Sequence, residues 1–132
     1  MQKLIYIFLL AMMVSGCATA TVSSIIAFNR ENVLKLSIGM TKAEVLDIMG
    51  TKTVKDGFLY CNMTINNPYR SEILQGKDKT FEIIYYFTDE KGKPCTISDD
   101  DLTPLIFDNG KLIGWGQNFL QDNVQKYEIR IR

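Results

Sequence analysis

Ten residues, Thr41 to Gly50, restrict the architecture of this chain more than any other stretch. Thr41-Lys42-Ala43-Glu44 is a capping box: the Thr41 hydroxyl accepts from the Glu44 amide, and the Glu44 carboxylate reaches back to the Thr41 amide. Val45, Leu46, Ile48 and Met49 form an apolar stripe, and Gly50 stands where a helix C-terminal cap belongs. The helix so bounded has about two and a half turns, too few to be stable alone in water. It must lie on something, and the rest of the chain offers a sheet.

The clearest strand runs from Phe81 to Thr88, with Phe81, Ile83, Tyr85 and Phe87 on one face and Glu82, Ile84, Tyr86 and Thr88 on the other. Leu105 to Trp115 predicts a hairpin, because Asn109-Gly110 suits the positive φ angles of a type I′ turn. That register sets Asp108 opposite Lys111 and Phe107 opposite Leu112, and leaves Ile106, Ile113 and Trp115 sharing the other face. Phe58 to Met63 reads as a further strand, followed by a loop at Asn66-Asn67-Pro68, while 69–75 fits either an extended segment or a short helical turn. A helix is expected from Phe28 to Leu36, with Asn29 able to cap it, stopping before Gly39. At the end of the chain Tyr127, Ile129 and Ile131 alternate with charged residues, as a half-buried edge strand would. The expected fold is α+β, with two short N-terminal helices on a three- or four-stranded antiparallel sheet.

The N-terminus carries a different message. Leu4 to Val14 is an uncharged run behind Lys3, fitting the h-region of a secretory signal and short of the roughly 20 residues a spanning helix needs. Val14-Ser15-Gly16-Cys17 resembles a lipobox, which implies cleavage before Cys17 and diacylation of its thiol. An uncleaved signal anchor is the alternative, since no charge appears between Lys3 and Arg30. Against it, Ala18 to Ser24 is rich in Ala, Thr and Ser, like a flexible tether. The expected division is a signal peptide over 1–16, a lipidated tether over 17–27 and one domain over 28–132. Such a tether, extended at about 3.3 Å per residue, would give the domain some 30 Å of reach.

Composition narrows the chemistry. Lys and Arg number 15, as do Asp and Glu, and removing residues 1–16 deletes Lys3 alone, so the mature chain stays near neutral. No basic patch argues for nucleic acid. There is no His, the commonest general base and metal ligand. Ser and Thr therefore lack a recognisable activating base, and an enzyme is not expected. With Cys17 lipidated, Cys61 and Cys95 remain as a pair in an oxidising compartment, either bridged or as two thiols on unrelated strands. Two cysteines are too few for zinc, and Asp99-Asp100-Asp101 lacks the alternating spacing of a calcium loop, reading instead as a solvated turn. No cofactor or metal is expected. Trp115 either fills the space between helix and sheet or, with Ile106 and Ile113, makes an apolar strip covered by a protein partner.

The stretch Gly39-Met40-Thr41-Lys42-Ala43-Glu44-Val45-Leu46-Asp47-Ile48-Met49-Gly50 resembles the signature helix of the SmpA/OmlA lipoproteins, the BamE-like family. Leu102 to Phe107, Asn109 to Leu112 and Gly114-Trp115-Gly116 resemble a related group of uncharacterised lipoproteins. The chain departs from the first family at Thr51-Lys52, where a Pro often stands, over 62–79 and at the Tyr127–Arg132 end. The resemblance implies two helices on an antiparallel sheet and a non-catalytic, periplasm-facing protein-interaction module in envelope assembly. The alternative function is an inhibitor or ligand-binding lipoprotein, because β-lactamase inhibitory proteins share the helix-on-sheet arrangement. The expected location is the cell envelope, anchored through lipid on Cys17. Ala18, where an Asp would favour inner-membrane retention, points to the outer membrane, facing the periplasm, if the cell is Gram-negative.

Overall fold

The computed structural model describes residues 21–58 and 61–127, with 57, 58 and 61 described by their backbone only. The first helix, α1, spans Val22–Val33. Thr21 caps it: its hydroxyl accepts from the Ser24 amide at 3.2 Å while its own amide donates to the Ser24 hydroxyl at 2.8 Å. The expectation of a tether through residue 27 and a helix from Phe28 is therefore corrected. The small polar residues Thr21 to Ser24 begin a helix, and Ile25 and Ile26 behind them are buried. Helix α2 spans Lys42–Met49 as expected, with the Thr41–Glu44 capping box formed and Gly50 at φ 74° as its C-terminal cap.

Two antiparallel sheets follow. Strands β1 (Val54–Phe58) and β2 (Cys61–Ile65) form a two-stranded sheet in which Phe58 stands opposite Cys61. One strand was expected over 58–63; there are two, running in opposite directions. The four-stranded sheet is a meander of β3 (Arg70–Gln75), β4 (Thr80–Phe87), β5 (Leu102–Asp108) and β6 (Lys111–Trp115). The 69–75 region is thus extended. Asn109 at φ 50° and Gly110 at φ 74° make the expected turn, with Asp108 opposite Lys111 and Phe107 opposite Leu112. A 3₁₀ turn, Asp99–Asp101, leads into β5.

A third helix, α3, spans Gln117–Lys126 and has no counterpart in the sequence expectation. It explains why β4 and β5 are buried on both faces. Phe81, Ile83, Tyr85 and Phe87 of β4 belong to a core that includes Ile25, Ile26, Ile65, Ile106 and Leu120 of α3. Ile84 and Tyr86 belong to a second core with Val45 and Met49 of α2, Leu105, Phe107 and Leu112. Helix α1 touches both, giving Ile25 and Ile26 to the first and Val33 to the second. The class is α+β as expected, built in three layers. Tyr127 ends α3 rather than opening a strand; the rest of the expected terminal strand, residues 128–132, lies outside the described residues.

A bulge overturns the apolar strip. Phe107 pairs with Leu112 but Ile106 pairs with Gly114 and Leu105 with Trp115, so β6 carries one extra residue. That residue shifts every later side chain to the opposite face. Ile106 is fully buried in the first core, Ile113 packs partly against the same core, and Trp115 packs against the second, with Val45 and Met49. The three do not form a partner surface. Trp115 instead fills the space between α2 and the sheet.

Candidate binding groove

An apolar concavity lies between α1, α2 and the start of β1. It has a volume of about 590 Å³, and Ser24, Ile25, Phe28, Leu46, Gly50 and Val54 contribute to its lining. Ile25 and Phe28 are three apart on α1 and share one face of the helix. Ile25 turns into the core, whereas Phe28 stays 46% exposed at the rim. A half-exposed Phe is uncommon on a face already in contact with the core, and it is the most conspicuous side chain of the groove.

Gly50 makes this wall possible. Its φ of 74° ends α2 in a conformation that costs a side-chain-bearing residue free energy. A β-carbon there would also stand 3.3 Å from Phe28 Cε1, so the ring lies close over the bare backbone. Two further groups fix the same corner. Asn67, buried in the β2–β3 loop, donates through Nδ2 to the Met49 carbonyl at 3.0 Å. The Tyr86 hydroxyl donates to the Gly50 carbonyl at 3.4 Å, and burial pushes the Tyr86 phenol up to about 12. The helix end, where free carbonyls would otherwise be unsatisfied, is thereby tied to the sheet. Asp47 and Lys52 add one charge of each sign to the lining, with Thr51 beside them. The groove suits an apolar side chain carried on a polar backbone.

A second groove, of about 420 Å³, lies between β3 and α3 and is lined by both polar and apolar residues, Arg70, Glu72 and Asp99 among them. Its charged groups are largely spent on one another. Arg70 pairs with Asp99 at 2.9 Å and covers the Tyr85 ring at 4.3 Å, while the Tyr85 hydroxyl donates to Glu72. Burial, then the Glu72 carboxylate, raises the Tyr85 pKa.

The remaining expected residues are placed as follows. Cys17 lies outside the described residues, as does the side chain of Cys61. Cys95 sits in the loop after β4 with φ 65° and is disulfide-bonded. In the aspartate run, Asp101 is buried rather than solvated. It accepts from the Lys91 amide at 2.7 Å, the Ser98 amide at 2.8 Å and the Ser98 hydroxyl at 2.7 Å, and so closes the loop that contains Cys95. Among the described residues no three His, Cys, Asp or Glu side chains gather where a metal ion could be held. Nor is any helix among them long and apolar enough to cross a membrane. The α1 wall of the groove is hidden in the sequence because Thr21 to Ser24 fits a tether as well as a helix start. The available signal was Thr21 and Ser24 three residues apart, followed by Ile25, Ile26 and Phe28.

No curated protein and no solved structure matches the chain. Residues 23–122 match the family described as a protein of unknown function, DUF3192, and this span runs from the first turn of α1 into α3. With both walls of the groove, the whole four-stranded sheet and most of the covering helix inside the match, the chain belongs to the DUF3192 family.

Proposed function

We propose that this protein is a lipid-anchored, periplasm-facing interaction module with no catalytic role, and that the α1–α2 groove receives an apolar side chain of a protein partner. The observation that carries the proposal is the half-exposed Phe28 at the rim of an apolar groove whose other wall is the bare backbone of Gly50. An aromatic side chain beside a preformed apolar recess is the usual make-up of an interface anchor. The lipobox-like Val14-Ser15-Gly16-Cys17 supports the anchor, and the resemblance to SmpA/OmlA lipoproteins supports a place in envelope assembly at the outer membrane.

A photocrosslinking amino acid at position 28, activated in intact cells, tests this. The expected product is a defined adduct with an envelope protein, lost when Leu46→Asp fills the opposite wall with charge while the domain stays folded. Position 28 yielding no protein adduct, while an exposed control position such as 34 does, would overturn the groove assignment. An adduct with a soluble periplasmic enzyme, whose activity falls on binding, would favour the inhibitor reading.

A further inference from the structure

The four-stranded sheet treats its two edges unequally. The outer edge of β6 is covered by the α1–α2 linker: Gly39 donates to the Leu112 carbonyl at 2.8 Å, and Leu112 donates back to the Met40 carbonyl at 2.8 Å. The outer edge of β3 has no such cover among the described residues. Across the β3–β4 turn Gly76 donates to the Lys79 carbonyl at 2.7 Å. Alternation from there directs Leu74 and Glu72 at β4 and turns the peptide groups of Ser71, Ile73 and Gln75 outward. The Ile73 side chain beside them is 66% exposed.

Helix α3 gives this edge a wall. It begins over β6, where the Phe119 ring lies against Gly114. It ends on the other side of the sheet, where the Tyr127 carbonyl accepts from the Lys77 amide at 3.4 Å, just past β3. The helix therefore crosses the sheet obliquely, and the groove of about 420 Å³ lies in the angle between it and β3. Leu120 and Val124 supply apolar surface there. Gln121 and Gln125, one helical turn apart, line it with exposed carboxamides that make no hydrogen bond among the described residues. Each carboxamide offers both a donor and an acceptor. Arg70 set against Glu72 and Asp99 leaves the lining with one negative charge in excess.

We infer that the β3 edge and this groove together bind an extended segment of a partner protein, which joins the sheet as a strand and alternates apolar with polar or basic residues. Such a strand meets the outward peptide groups of β3 with its own main chain. Its side chains fall alternately on the two faces of the sheet. Those level with Ile73 find an apolar neighbour on the face away from α3. Those level with Glu72 turn toward the groove, where the excess negative charge and the two carboxamides favour a polar or basic group over an acidic one. A second copy of β3 is a poorer occupant. The two antiparallel registers that overlap it most and match the outward peptide groups set Glu72 opposite Glu72 or Leu74 of the copy.

Nine-residue peptides displayed on phage and selected on the full chain test this, with fluorescence anisotropy of the peptides recovered. They are expected to alternate apolar with polar or basic residues. N-methylation of successive peptide amides should weaken binding at least ~10-fold in one phase of the alternation and little in the other, since only half of an added strand's amides face the sheet. Ile73→Pro removes an outward donor and leaves the pairing with β4 intact. It should weaken binding by a similar factor while the Ile83 and Ile106 amides stay protected from hydrogen exchange. Selection of no peptide, or binding indifferent to N-methylation or to Ile73→Pro, would overturn the assignment. So would protected Ser71, Ile73 and Gln75 amides in the protein alone: protection that grows with concentration gives the edge to a second copy, and constant protection gives it to the chain itself.

Discussion

The ring of Phe119 occupies the space where a side chain on Gly114 would begin: a β-carbon there would lie 2.5 Å from Phe119 Cζ. Gly114 stands opposite Ile106 at the bulge, so α3 reaches the sheet backbone only because this position is bare. Gly114→Ala is expected to lower stability by about 1–3 kcal/mol, the range for overfilling a packed interior. The measurement is the urea midpoint at unchanged slope. Combining Phe119→Leu with Gly114→Ala should recover part of the loss. A midpoint insensitive to Gly114→Ala would mean that the ring is not seated there.

Asp101 predicts an acid-sensitive loop. The backbone amide of Lys91, then the hydroxyl and amide of Ser98, hold its carboxyl below the ordinary value of 3.8. A folded-state pKa below the unfolded one contributes stability that is present above about pH 4 and is lost as pH falls through the depressed value. Thermal midpoints should therefore fall below pH 4, and Asp101→Asn should flatten that part of the profile. At pH 7 the same change should cost about 1–3 kcal/mol, since charge-assisted bonds to the loop weaken. A variant with the wild-type acid limb would remove Asp101 from the account.

The bridge at Cys95 tests two expectations at once. If Cys17 is acylated, Cys61 is the thiol left for Cys95, and peptide mapping without reductant should recover a Cys61–Cys95 pair. Reduction is then expected to cost about 2–4 kcal/mol, with Cys61→Ser, Cys95→Ser and the double variant equally destabilised. A Cys17–Cys95 peptide would sink the lipidation of Cys17 together with the pairing.

The bulge reverses the ranking that strict alternation gives for β5 and β6. Ile106→Ala is expected to cost about 2–5 kcal/mol, as for a fully buried aliphatic side chain. Ile113→Ala and Trp115→Ala, at partly buried positions on opposite faces, should cost less. Equal and small losses at all three, by chemical denaturation, would restore the exposed strip.

What could be read from the sequence was local. The Thr41–Glu44 box and the Asn109-Gly110 turn each satisfy their own backbone within four residues, so their geometry is written where it forms. The α1 start is local too, but Thr and Ser serve caps and linkers alike, and the same residues read either way. Phe58-Leu59-Tyr60-Cys61 contains no turn-forming residue, so the β1–β2 reversal had no marker. Helix α3 starts at Gly116 without a side-chain cap, and its sparse apolar residues, Phe119, Leu120 and Val124, give a weak stripe. The bulge sits beside Gly114, which Phe119 of the following helix covers, and spacing along β6 alone does not display that contact. The groove inherits these misses, since one of its walls is the part of α1 that resembled a tether.

The early start of α1 also changes who can reach this protein. Cys17 and Thr21 are four positions apart, so even fully extended they span no more than about 14 Å. Phe28 follows seven residues later, about 10 Å along the helix axis. With lipid on Cys17, the mouth of the groove stays within some 25 Å of the bilayer surface by those dimensions. A solute crossing the compartment would meet it seldom. A partner held in the same leaflet would meet it by lateral diffusion, searching a plane instead of a volume.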